Sequence, residues 1–110
     1  MIRITTHILD TALGRPAAGV PVRLERAGSP GPPVAQAVTD ADGRVRDWLA
    51  GGVGPGRYRL VFATGEWLRA TGRETVYPEI AVEVDVREGE RDYHLPLLLS
   101  PHGYTTYRGS

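Results

Sequence analysis

Apolar and polar residues alternate with a period of two along most of this chain, and helical spacing is scarce. In "IRITTHIL", Ile2, Ile4 and Ile8 share one face, and Arg3, Thr5 and His7 share the other. "GVPVRLER" sets Val20, Val22 and Leu24 against Arg23 and Glu25, and "RYRLVFA" puts Tyr58, Leu60 and Phe62 on one side. "EIAVEVDV" opposes Ile80, Val82, Val84 and Val86 to Glu79, Glu83 and Asp85. In "YHLPLLLS", Tyr93, Leu95, Leu97 and Leu99 oppose His94, Pro96, Leu98 and Ser100. Turn chemistry punctuates these runs at "ALGRPAAG", "GSPGPP", "DADG", "GGVGPG" and "REGE". The segment "AGSPGPP" reads as an exposed loop within the domain. One segment departs from the pattern: "TGEWLRATG" predicts a short helix near residues 65–72, with Thr64 capping its start and Gly72 its end. Short strands joined by tight turns predict an all-β fold, an antiparallel sandwich with one short helix.

The last residues extend the pattern where most chains fray. Tyr104, Thr105, Thr106 and Tyr107 are strand formers, and the "SPHG" turn before them favours a hairpin. Such a return would carry Tyr107, Arg108, Ser110 and the terminal carboxylate towards His94.

Composition narrows the chemistry. With 110 residues, the chain is long enough for one core and reads as a single domain, 1–110. Thirteen basic residues balance thirteen acidic ones, so no charge excess points to nucleic acid or an anionic membrane as partner. All the basic residues are arginine, which excludes lysine chemistry, and the absence of cysteine excludes thiolates and disulfides. No run approaches the roughly 20 apolar residues of a membrane span, and the start carries no secretory pattern, so a cytoplasmic protein is expected.

Three places remain where chemistry could sit. His7 and His94 both point away from the aliphatic face of their strands, where a histidine is usually only solvated; two on end strands that can be neighbours make a better case. No metal-ligand spacing accompanies them, so neither a metal nor another cofactor is expected. Asp40, Asp42 and Gly43 form a turn signal, and Arg44 follows it with a planar donor fork suited to an oxygen-rich ligand. Ser110 lacks the surroundings of a nucleophile and reads as a binder.

The stretches "HILDTALGRPAAGVPV", "TDADGRV" and "YHLPLLLSPHGYTTYRGS" together resemble the 5-hydroxyisourate hydrolases, the transthyretin-related enzymes of purine catabolism. The resemblance spans nearly the whole chain, and the closing "YRGS" is its most specific element; His102 and Thr105 depart from the family pattern outside the catalytic positions. It implies a transthyretin-like sandwich of two four-stranded sheets with one short helix. It also implies a homotetramer with binding sites at the dimer–dimer interface. The implied catalytic residues are His7, Arg44 and His94, with Ser110, Tyr107 and Arg108 binding substrate. The implied reaction is hydrolysis of 5-hydroxyisourate without a cofactor. Transthyretin itself, a hormone carrier, lacks the terminal "YRGS" and the first histidine. The middle of the chain is equally similar to the sandwich modules of carboxypeptidases and surface adhesins, which makes a non-enzymatic binding or adhesion module the alternative.

Overall fold

The computed structural model describes residues 1–29 and 31–110; Pro30, inside the expected "AGSPGPP" loop, lies outside the described residues. Strands β1 (Arg3–Asp10), β2 (Arg15–Pro16), β3 (Pro21–Arg26), β4 (Ala35–Val38), β5 (Arg44–Val45) and β6 (Gly56–Phe62) precede α1 (Thr64–Ala70), the one helix among the described residues. Strands β7 (Ile80–Val86), β8 (Asp92–His94), β9 (Leu97–Ser100) and β10 (Gly103–Thr106) follow it. One sheet runs in the order β4-β3-β6-β7, entirely antiparallel. The other centres on β1, which has β8 and β9 on one edge and β2 and β5 on the other, with β10 outside β9.

The second sheet has more pieces than expected, but the same number of strand positions. β8 and β9 flank Leu95–Pro96 and continue one path along β1. Proline has no N–H to give the ladder, which accounts for the break. β2 and β5 pair with different stretches of the same edge of β1. Four strand positions per sheet therefore form a transthyretin-like sandwich.

Within this largely antiparallel sandwich, β1 runs parallel to both β8 and β9. Parallel neighbours need a long crossover, and here the other sheet and the helix supply it. Local alternation carries no information about that direction.

The aliphatic faces meet between the sheets as expected. Ile4, Ile8, Leu24, Tyr58, Leu60, Phe62, Leu97 and Leu99 are all at most 1% exposed, an interior whose removal from water dominates stability. Two polar residues share that side of β1. Thr6 donates its hydroxyl to the Leu95 carbonyl at 2.6 Å. Asp10 is held by Arg73 at 2.7 Å and by the Leu13 N–H at 3.0 Å.

The helix ends near Gly72 (φ 81°), whose positive φ glycine tolerates. Its start differs from expectation. Ala63 takes the capping position, and Thr64 is the first helical residue. The Thr64 hydroxyl is buried inside the first turn, makes no cap hydrogen bond, and has no partner among the described residues. No helix among the described residues is long and apolar enough to cross a membrane.

Candidate active site

Thr5 and His7 are two residues apart on the outward face of β1, so their Cα atoms are separated by about 7 Å. β8 places His94 beside Thr5, and β5 places Arg44 beside His7. The four side chains form one row across three strands: His94, Thr5, His7, Arg44.

The "TDADGR" turn fixes one end of this row. Asp40 Oδ1 accepts from the N–H groups of Asp42 and Arg44, both at 2.9 Å, and these bonds hold the Asp40 carboxyl below the usual carboxylate range. Gly43 (φ 78°) has no side chain because the backbone of Ile8 fills the space a Cβ would need. The turn also orients His7, whose Nε2 lies 2.8 Å from the carbonyl oxygen of Asp42. A carbonyl can only accept, so Nε2 carries the hydrogen and Nδ1 is the ring nitrogen turned towards the site. Arg44 has no ion-pair partner among the described residues.

At the other end, His94 Nδ1 lies 2.8 Å from Thr5 Oγ1. With Nδ1–H donating to that hydroxyl, Nε2 is left with its lone pair. Burial lowers the pKa of His94 below the ordinary histidine value, and the nearby Arg44 and His7 lower it further. Each of these effects favours the neutral imidazole, the form that can accept a proton.

The tail returns to this place as expected. β9 and β10 form a hairpin through Pro101 and His102, with Gly103 opposite Ser100 and Thr106 opposite Leu97. Gly109 then bridges to His94, donating its N–H to the His94 carbonyl at 2.7 Å. A cleft of about 930 Å³ opens here, and His94, Arg108 and Ser110 line it with Thr5, Arg46 and Trp48. Asp47 turns the wall between Arg46 and Trp48 in a left-handed conformation (φ 57°) that aspartate tolerates better than most residues.

The expected residues thus fall into three positions. His94, Arg108 and Ser110 line the cleft; His7 and Arg44 continue from it along the open sheet face through Thr5. Tyr107 is 52% exposed and outside the cleft lining. Arg108 is largely engaged, donating to the Asp92 carbonyl at 3.0 Å and lying 4.1 Å over the Tyr93 ring. Thr5, Arg46 and Trp48 escaped the sequence reading as site residues. Two of them carried a usable signal: Thr5 shares a strand face with His7, and Arg46 lies two residues beyond Arg44, just past the end of β5. Trp48 carried none.

Two packed sheets of four strand positions with one short helix between β6 and β7 define the transthyretin-like class. The sequence profile of the HIUase/Transthyretin family matches residues 4–109, and the chain belongs to that family. It is 46% identical over 114 residues to the 5-hydroxyisourate hydrolase of Mesorhizobium japonicum, covering 98% of this chain and 92% of that protein. The structure of Klebsiella pneumoniae 5-hydroxyisourate hydrolase superposes with a TM-score of 0.91 at 42% identity, covering all of both chains. Sea bream transthyretin in complex with thyroxine superposes with a TM-score of 0.88 at 32% identity, over 96% of this chain and 93% of that one.

Proposed function

We propose that this protein hydrolyses 5-hydroxyisourate to 2-oxo-4-hydroxy-4-carboxy-5-ureidoimidazoline in urate breakdown. The observation that carries the reading is the row of His94, Thr5, His7 and Arg44 running into a cleft that the C-terminal Ser110 also lines. Relatives named 5-hydroxyisourate hydrolase at 42–46% identity support the choice of substrate. The likeness to a thyroxine-bound transthyretin keeps a binding module as the alternative, but binding alone leaves two histidines and an unpaired arginine in one row without a task.

In the reaction, water adds to a ring carbonyl carbon, the C–N bond breaks, and the water's protons end on the leaving nitrogen and the new carboxyl group. Activating water near neutral pH needs a group that is unprotonated there and can take a proton. His7 and His94 supply it, one removing the proton and the other steadying the water. Arg44 holds the carbonyl oxygen and stabilises the negative charge that grows on it as water adds. Ser110 hydrogen-bonds the substrate through its hydroxyl or terminal carboxylate, and Arg108 shapes that wall, whereas the placement of Tyr107 outside the cleft lining leaves it no part in it.

The same reading extends to assembly and location. The row lies on an open sheet face, and a homotetramer that pairs this face across its dimer–dimer interface would close the site. We place this one-domain protein in the cytoplasm. Light scattering should give a tetramer at micromolar concentration, and a clean monomer would contradict the assembly.

The activity is tested by generating 5-hydroxyisourate from urate with urate oxidase and following its absorbance. Faster decay in the presence of this protein is the expected result. Decay at the spontaneous rate would favour the binding module.

A further inference from the structure

Two of the last three residues, Arg108 and Gly109, are fastened to β8. Arg108 lies 4.1 Å over the Tyr93 ring and donates to the Asp92 carbonyl at 3.0 Å, with the Glu90 carboxylate 3.4 Å away. Gly109 donates its N–H to the His94 carbonyl at 2.7 Å. Consecutive tail residues therefore grip consecutive residues of the strand that carries His94.

The absence of a side chain at Gly109 has a specific reason. Its φ lies outside the range that strains other residues, so backbone conformation does not demand glycine here. Space does: a Cβ at this position would lie 2.8 Å from His94 Cδ2, well inside van der Waals contact. The imidazole has little freedom to yield, because its other side is tied to Thr5 Oγ1 at 2.8 Å. The ring thus sits between the Thr5 hydroxyl and the Gly109 backbone.

We infer that Arg108 and Gly109 are positioning residues: Arg108 clamps the tail to β8, and Gly109 packs its bare backbone against His94 to set the angle of the imidazole. Ser110 projects into the cleft from the end of this latch. The inference rests on His94 acting in the proposed reaction, but the placement of the ring can be tested without activity. A catalytic group displaced by about 1 Å can cost roughly 10²-fold in rate, so the latch matters to turnover more than to substrate affinity.

The test is NMR of the three histidine rings in the full-length protein, carrying Gly109→Ala, Arg108→Gln or Ser110→Ala, alongside hydrolysis kinetics. Gly109→Ala should move the His94 ring signals while leaving those of His102 in place. It should lower kcat by about 10²-fold with little change in KM. Arg108→Gln should move the same signals by less, and Arg108→Lys should restore part of the wild-type position by keeping the charge. Ser110→Ala should raise KM with the His94 signals unmoved. His94 signals identical to wild type in folded Gly109→Ala and Arg108→Gln would overturn the inference. If wild type has no hydrolytic activity, the reading of function fails, while the ring signals still decide whether the latch exists.

Discussion

On the outer face of the antiparallel sheet, arginines and acids interlock across three strands. Arg59 reaches Glu83 at 3.4 Å and Glu25 at 3.7 Å; Arg57 meets Asp85 at 2.8 Å, and Arg23 meets Glu25 at 2.7 Å. On the outer face of the β1 sheet, Arg44 stands beside His7 with no acid paired to it among the described residues, and His94 lies across Thr5. Both faces arise from the same alternation, and both are polar. The first satisfies its charges internally, as cross-strand pairs do in ordinary solvated sheets. The second leaves donors and proton acceptors unspent, and the tail is brought back to meet them. Polarity on a strand face says little about function; charge left unpaired beside groups that titrate near neutrality says much more.

The largest effect expected from breaking this contrast is on turnover. His7→Ala and His94→Ala should each lower kcat by about 10²–10⁴-fold, the usual loss when a general base is removed. His102→Ala, in the exposed β9–β10 turn, should leave steady-state rates near wild type. A loss at His102 equal to that at His7 would contradict the assignment.

A paired charge gains importance when it is buried, and Asp10 tests that next. Burial alone would raise its pKa, but the bonds from Arg73 and from the Leu13 and Ala12 backbone outweigh this and hold it below the usual carboxylate value. Its pairing therefore contributes stability that is present above about pH 4 and is lost as pH falls through the lowered native pKa. Asp10→Ala leaves Arg73 largely buried without its partner, and should cost about 3–5 kcal/mol in denaturant unfolding at pH 7. Melting that is unchanged would show the pair to be dispensable.

A smaller effect is expected in the pH profile. Activity requires neutral His94, whose pKa is depressed below 6.5, so the acid limb of kcat/KM should lie below pH 6.5. Arg44→Gln removes one of the charges that depress it and should move the limb upwards in whatever activity remains. An acid limb above 6.5 in wild type would speak against His94 as the group that titrates. The smallest effect belongs to the ladder: Glu83→Gln should change stability by no more than about 1 kcal/mol in thermal melts, because exposed pairs are screened by solvent.

Much of this architecture was legible from alternation. The inward positions of β3, β6 and β9, the hairpin through "SPHG" and the glycine at the helix end all follow from side-chain period and turn chemistry. Thr6 and Asp10 were harder to read, because the Leu95 carbonyl and the Arg73 guanidinium that pair with them at inward positions of β1 lie 89 and 63 residues away in sequence. The parallel run of β1 with β8 and β9 is likewise a property of the whole chain. For the site, strand parity gave the outward direction of His7 and His94, and the "YRGS" resemblance drew attention to the tail. The engagement of Arg108 by Tyr93 and Asp92 and the need for a bare backbone at Gly109 depend on how two distant segments meet. No spacing along the chain encodes that meeting.

The central claim is that unpaired charge on the β1 sheet does chemistry and paired charge on the opposite sheet does not. The direct test measures 5-hydroxyisourate hydrolysis by Arg44→Ala and Arg59→Ala side by side, with folding and assembly verified for each. The account predicts a loss of about 10²-fold or more for Arg44→Ala, the scale of removing a preorganised electrostatic donor, and a rate within about twofold of wild type for Arg59→Ala. Equal losses in the two variants, or full activity in Arg44→Ala, would contradict it.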